Sequence, residues 1–495
     1  MEKKDSGRLL FEILHSDTRP PVFEQIKLVF FMSVPAIMAQ IASVCMQYID
    51  ASMVGQLGAD DSASIGLVSS SIWLLCSIGM AVNVGFTVLM AQKIGARKYV
   101  SARNLLKLAF MVCLAASLLL AGAGILVSDI LPVWLGGNSE INRGASEYFL
   151  IFTSALPVLI LNALSSGMLQ SSGNMKLPSL LNMLMCLLDV VFNYLLIFPS
   201  REISFGGFSL VIPGCDLGIR GAALGTVAAE TVTFALMLFF LLFRTPQLQL
   251  HREEKFIFSS SAEKVQQKLN SLKLHREEKF IFSSRLVRRA FKISLPVGFD
   301  HIAMCLAMVV SMMIVAPLGT VPIATHSFAI TAESFCYMAG YGIAAAATTM
   351  VGQSIGARRS DLAVSFAWLV TGLGVSIMTA AGILMFIFAP LMMGLLSPVA
   401  EIRNLGAEVL RIEAFAEPLF GASIVAAGAL RGAGDTFFPS LINFISMWFV
   451  RIPLSLLLAS YYGFYGIWVA MCIELCIRGL LFLYRLKRGK WLKNI

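Results

Sequence analysis

Long, uninterrupted apolar runs alternate along the chain with short polar connections. LVFFMSVPAIMAQIASVCMQYI at 28–49 and LLKLAFMVCLAASLLLAGAGILV at 105–127 are two of the clearest. Each is long enough to cross a hydrocarbon layer of about 30 Å, which takes roughly 20 helical residues. Read from end to end, the pattern predicts twelve spans: 27–50, 62–90, 105–127, 146–166, 178–198, 221–243, 290–316, 324–350, 362–387, 405–427, 438–459 and 463–484. The expected fold class is therefore all-α and integral to a membrane. The first run begins near Leu28 after a polar, charged arm and carries no small-residue cleavage site. It is expected to be the first span, with no cleaved signal peptide before it.

The runs repeat. A constant offset of 261 takes Pro35 to Pro296 and Gly58 to Gly319, and lays AQKIGAR (91–97) on GQSIGAR (352–358). It also lays GMLQSSGNMKLPSLLN (167–182) on GALRGAGDTFFPSLIN (428–443), with seven identities in sixteen positions. After the fifth span the offset becomes 245, taking Gly218 and Gly221 to Gly463 and Gly466. Two six-span halves of the same orientation form a parallel repeat, a plan in which transporters place a binding site between the halves. The expected organisation is an N-terminal arm (1–26), an N-lobe (27–243), a linker (244–289), a C-lobe (290–484) and a basic tail (485–495). Within the linker LHREEKFIFSS occurs at 250–260 and again at 274–284. A duplication inside a tolerant linker explains this more simply than a regulatory amphipathic element.

Composition agrees with the pattern. Of 495 residues, 57% are hydrophobic and only 14% charged, against about 45–50% apolar and 25% charged for a soluble domain. Lys and Arg gather at 93–107, 244–292, 353–361 and the C-terminal tail, while connections such as 55–61 and 128–147 are neutral or acidic. Basic segments on every second connection fit an even number of spans with both termini cytoplasmic. The net charge of +9 is thus read as positive-inside bias and not as nucleic-acid binding. The nine cysteines form no CxxC pair and are expected to be mostly buried free thiols.

Ionisable residues inside spans cost roughly 2.5–3.5 kcal/mol each on insertion scales, so each needs a reason. Asp50 ends the first span; Asp189 and Asn193, four apart, share one face of the fifth. They lie about 17–23 Å from its start, a depth compatible with Asp50. Thr226 follows in the sixth span. These four side chains can bind Na⁺ through oxygen or share a proton. The second half carries Asp300, Glu333, Glu413 and Glu417, with Tyr337 near Glu333, as candidates for a substrate cavity or secondary acids. Arg451 is expected to pair with one of the acids as structural glue, and His326 to be interfacial. Arg431 and Asp435, in RGAGDTFFP, belong to a helix–helix turn and are expected to bridge neighbouring loops. The 25 Met and 35 Phe suit either an adaptable apolar cavity or ordinary packing.

IDASMVGQLGA (49–59), AQKIGAR, QSSGNMKLP (170–178), AATTMVGQSIGAR (346–358) and RGAGDTFFP (431–439) occur in the order and spacing of the multidrug and toxic compound extrusion (MATE) family, which the chain resembles over roughly residues 25–485. The resemblance implies a V-shaped pair of six-helix lobes, and export of small cationic or amphipathic compounds in exchange for Na⁺ or H⁺. No other cofactor or metal is implied. A monomer in a bacterial inner or plasma membrane is expected. One branch of the family uses a first-span Asp, matched by Asp50, an Asn-x-x-x-Asp pair in the fifth span, and a sixth-span hydroxyl resembled by Thr226. Here the fifth span reads Asp189-x-x-x-Asn193, so the pair is exchanged. The other branch places a Glu eight residues after the seventh-span proline; here that position is Met304, with Asp300 one turn earlier. This departure favours the N-lobe site. A flippase for a lipid-linked precursor is the alternative on such a scaffold, though it would want a cationic cavity, and the spans show one deep Arg among several acids. A membrane-embedded enzyme would need clustered metal ligands or an activated nucleophile, and the five His are scattered.

Overall fold

The computed structural model describes residues 6–16, 19–205, 208–245, 247–248, 256–258 and 280–494. The first half comprises α1 (Ser6–Leu14), α2 (Val22–Gly55), α3 (Ala59–Gly95), α4 (Tyr99–Val127), a four-residue α5 (Leu131–Trp134), α6 (Ser139–Ser171), α7 (Lys176–Ile197) and α8 (Gly218–Phe239). An antiparallel hairpin, β1 (Pro199–Phe205) and β2 (Phe208–Cys215), links α7 to α8. The second half comprises α9 (Ser284–Val315), α10 (Thr320–Gly356), α11 (Ser360–Leu396), α12 (Ala400–Ala414), α13 (Glu417–Gly432), α14 (Phe437–Ile445) and α15 (Ile452–Lys487).

Ten stretches of described residues are long and apolar enough to cross a membrane. The last, Phe437–Lys487, has 51 residues and at 1.5 Å per residue is more than twice as long as a bilayer core is thick. It reverses at Gly463, whose φ of 56° and ψ of −133° are not helical, and so makes two passes. The remaining pass is α12 with α13. They fall short singly because the chain breaks after Ala414, where Pro418 sits in the first turn of α13. Its repeat mate Pro157 lies inside a continuous α6. Twelve passes result, as expected, in a multi-pass membrane protein.

The helices overrun the apolar runs. α2 starts inside the segment expected to be an arm, and that arm itself contains α1; α9 starts inside the segment expected to be the linker. Of the duplicated linker segment, only the two Phe-Ile-Phe triplets and the final serines of the second copy, Ser283 and Ser284, lie among the described residues. Phe256–Phe258 (β3) and Phe280–Phe282 (β4) pair in parallel and in register. Ser283 caps α9 by accepting from the Leu286 amide at 3.4 Å.

Backbone geometry repeats with the sequence. Eight of the eleven positive φ angles among the described residues fall in four repeat-related pairs: Gly58 and Gly319 (131° and 111°), Arg97 and Arg358 (55° and 59°), Gly173 and Gly434 (92° and 86°), Gly218 and Gly463 (53° and 56°). An Arg in the left-handed region is uncommon, so its recurrence at the same turn marks one local fold used twice.

Within each half the helices pack on one another. The halves meet where α2 lies against α10 and, by the repeat, α9 against α3, with α3 and α10 also in contact. The meeting of α3 and α10 is reciprocal at the basic end, where the IGAR turns lie. A Cβ added to Gly95 would stand 2.0 Å from the Gln353 carbonyl oxygen; one added to Gly356 would stand 2.0 Å from that of Gln92. Gln92 Nε2 donates to the Gly432 carbonyl at 3.3 Å and Gln353 Nε2 to the Ser171 carbonyl at 2.7 Å. Each of these positions maps onto its counterpart by the 261 offset. Small residues allow backbones this close, as in other membrane helix pairs.

Candidate functional site

The acids of the first half converge. α2 packs against α7, which brings Asp50 to the Asp189/Asn193 face. Asn193 Nδ2 donates to Asp50 Oδ1 at 3.0 Å and to Asp189 Oδ2 at 3.1 Å. Asp189 is 0% and Asn193 2% exposed, whereas Asp50 is only partly buried. The other oxygen of Asp189 and the amide oxygen of Asn193 are buried without a hydrogen-bond partner.

α8 completes the cluster because of glycine spacing. An added Cβ would stand 2.4 Å from the Leu196 carbonyl at Gly221, and 2.1 Å from Asn193 Oδ1 at Gly225. This Gly-Ala-Ala-Leu-Gly stretch is a small-xxx-small contact, and the next residue, Thr226, reaches Asp189. Its hydroxyl also donates to the Ala222 carbonyl at 3.3 Å. Away from the basic end, Ile197, Phe198 and Ala222 form an apolar layer with Met53, Val54, Leu57 and Tyr148. Tyr148 stands within the electrostatic field of both Asp residues, a role the sequence did not suggest. Beside the layer, Tyr48, Ile49, Ser52, Met53, Gln56, Tyr194 and Phe198 line a cleft of about 340 Å³.

In the repeat, Asp50 maps to Ser311 and Asp189 to Val450, so the second half builds something else. Glu474 is held by Arg478 through two bonds of 2.8 Å, with Arg451 at 3.6 Å. Arg451 thus pairs as expected, but a second buried arginine, Arg478, makes the stronger pair. Glu333, Glu413 and Glu417 are buried nearby, and the two oxygens of Glu413 accept no hydrogen bond. Tyr337 packs on Tyr341 and Phe420, at ring distances of 6.1 and 6.0 Å. Asp300 accepts from Asn443 Nδ2 at 2.9 Å and feels the charges of Arg431 and Arg478.

His326 is 5% exposed and packs edge-on against Trp468 inside the second half. Two expectations need correction. Asp435 binds Arg485 at 2.7 Å, not a neighbouring loop. Arg431 faces inward, where its charge acts on Asp300 and His301.

Glu230 was overlooked in the sequence. It accepts a hydrogen bond from Asn162 on α6, and its signal was the four-residue spacing from Thr226.

The family profile MatE matches residues 35–195 and again 296–457. The chain belongs to the MATE family. The two matches coincide with the internal repeat. Among MATE-related proteins, the probable multidrug resistance protein NorM of Thermotoga maritima is 23% identical over 468 residues, covering 94% of this chain and 92% of that protein. Its namesake in Halalkalibacterium halodurans is 24% identical over 475 residues, covering 94% of each. Among solved structures, a MATE protein in the straight conformation superposes with a TM-score of 0.82 at 18% identity, covering 98% of this chain and 99% of that one. A Vibrio cholerae MATE transporter, VcmN, in its bent form gives 0.80 at 18%, covering 96% and 98%. A MOP superfamily transporter from Pyrococcus furiosus gives 0.81 at 17%, covering 100% of both chains, and is described as having a binding pocket of reverse polarity that suggests a different function. At such identities these structures establish the MATE fold of this chain.

Proposed function

We propose that this protein is a secondary active exporter of small cationic or amphipathic compounds, driven by inward flow of Na⁺ or H⁺. The observation that carries the proposal is the Asp50–Asn193–Asp189 cluster. Two carboxylates share one amide in a membrane interior, and two further acceptor oxygens there have no donor. Such a cluster is expensive unless a positive charge joins it. Oxygen donors from Asp50, Asp189, Asn193 and Thr226 suit a hard monovalent cation, and the carboxylates equally suit a proton. Multidrug resistance is what the NorM relatives are named for.

In this reading the basic end faces the cytoplasm, and lobes 27–243 and 290–484 alternate about their shared seam. A cation arriving from outside neutralises the cluster and favours drug release outward. Drug loading from inside then favours cation release. The coupling is the difference in affinity between the two states. The buried acids of the second half, with Tyr337, Tyr341 and Phe420, offer a cation-attracting and aromatic surface for substrate.

A flippase for an anionic lipid precursor is the rival, and the polarity of the Pyrococcus furiosus relative shows why the pocket matters. Here Asp300, Glu333, Glu413, Glu417 and Glu474 outnumber Arg431, Arg451 and Arg478 among the described residues, which disfavours an anionic substrate. The deciding experiment is ethidium efflux from proteoliposomes with Na⁺ and pH gradients imposed separately. At least one of the two gradients should drive it; efflux indifferent to both would refute antiport.

A further inference from the structure

We propose that Glu230, held by Asn162, is a second proton-carrying site, one helical turn inward of the Asp50–Asp189 pair, through which the coupling proton leaves the first half. The proposal rests on the cation-antiport reading above and narrows the cation to H⁺.

Glu230 follows Thr226 by four residues on α8 and so lies on the same face, about 6 Å nearer the basic end. Thr226 touches Asp189, so Glu230 occupies the next level of the same interior. Asn162 on α6 is 5% exposed and donates its amide to Glu230, while its own carbonyl oxygen has no partner. Among the described residues, the titratable groups facing Glu230 are Asp189 on α7 and Cys76 on α3, and no Lys or Arg pairs with it. The contrast is with Glu474, which two arginines hold as a structural ion pair. A half-buried carboxylate in a membrane interior with no fixed counter-charge needs a mobile one.

The donor set selects the proton. A hard metal cation needs several oxygen ligands. Around Glu230 stand a thiol and an amide N–H aimed at the carboxylate, and the N–H repels a metal ion on that side. A proton needs a single carboxylate oxygen. Level with this contact, Asn83 on α3 donates to the Ile160 carbonyl at 3.0 Å, and its own carbonyl oxygen has no partner. Ser165, Ser166 and Gln170 follow Asn162 along α6.

The transfer balances simply. Protonated Asp189 gives its proton, through one or two water molecules, to the Glu230 carboxylate, leaving Asp189 ionised and Glu230 neutral. Glu230 then gives the proton to water at the basic end and is ionised again. No electrons move and no other bond breaks.

The test uses full-length protein in proteoliposomes, with ethidium as the probe and wild type, Glu230→Gln and Glu230→Asp measured together. Gln keeps the size of the protonated acid and can still bond Asn162, yet it carries no proton. Under a pH gradient Glu230→Gln should lose efflux by at least about tenfold, the scale of a typical coupling energy, while still binding ethidium. Glu230→Asp should transport, with the pH of half-maximal efflux displaced. Wild-type efflux by Glu230→Gln, or an unmoved midpoint in Glu230→Asp, would overturn the proposal, because a purely structural carboxyl would change the yield of folded protein and not the midpoint. Wild type driven by Na⁺ alone would overturn it while leaving the antiport reading intact. Wild type indifferent to both gradients would remove both.

Discussion

Both amide hydrogens of Asn193 go to carboxylates, one from α2 and one from its own helix. The amide therefore holds Asp50 and Asp189 at a fixed separation without supplying charge. Asp189→Asn should abolish cation-driven efflux and leave the protein folded, with its thermal midpoint unchanged or raised, because removing a buried charge that lacks a counter-ion removes a desolvation cost. The exchanged pair, Asp189→Asn with Asn193→Asp, restores the order seen in one branch of the family and keeps the charge count. It should recover efflux to within about tenfold of wild type; a double variant as inactive as the single would mean that position, not composition, governs the cluster. Asp50, Asp189, Asn193 and Thr226 were legible in the sequence because polar residues stand out in apolar runs and i, i+4 spacing fixes a face. The bond from Asn162 to Glu230 and the role of Tyr148 were not, because each depends on which helix lies alongside. Arg478 was missed for a related reason: near the end of a span an arginine reads as an interfacial anchor, and only its two bonds to Glu474 show it facing inward.

At the scale of elements, the positions of the twelve passes were readable from hydropathy, while breaks and overruns were not. Pro157 and Pro418 occupy equivalent positions, yet only the second half breaks, and the break is flanked by buried Glu413 and Glu417. α1 was the larger surprise, a nine-residue helix in what read as a polar arm. Leu10, Ile13 and Leu14 are buried in a cluster with Met175 and Ile355, which come from different halves. Ser6 donates to the Gly173 carbonyl at 3.0 Å, Arg97 lies over the Phe11 ring, and Arg359 donates to the Ser16 carbonyl at 2.8 Å. α1 therefore closes the seam at the basic end. Leu10→Asp should release it, since burying an unpaired carboxylate there costs more than the docking of one short helix returns. Limited trypsin digestion should then cleave after Arg8 much faster than in wild type; equal cleavage rates would show that the helix stays docked by its polar contacts alone.

Over the whole molecule, symmetry and chemistry separate. The seam at the basic end is two-fold: Gly95 on Gln353 repeats Gly356 on Gln92, and Gln353 to Ser171 repeats Gln92 to Gly432. The buried acids obey no such symmetry. If the halves part at this seam during transport, the two glycines are equivalent parts of one closure. Gly95→Val and Gly356→Val should then open it to similar extents, because either side chain would meet backbone atoms that cannot yield. Ala91→Cys is a suitable reporter, since Ala91 is buried and its Cβ faces Gly352 across the closed seam. In a background with the exposed Cys45 and Cys215 changed to Ser, a polar maleimide should label this cysteine slowly, and faster by about the same factor in either Val variant. A strong response to one glycine and none to the other would show that the seam opens by bending one half and not by parting of the two. That outcome would tie the motion to the half that holds Asp50 and Asp189, or exclude it from that half, according to which glycine responds.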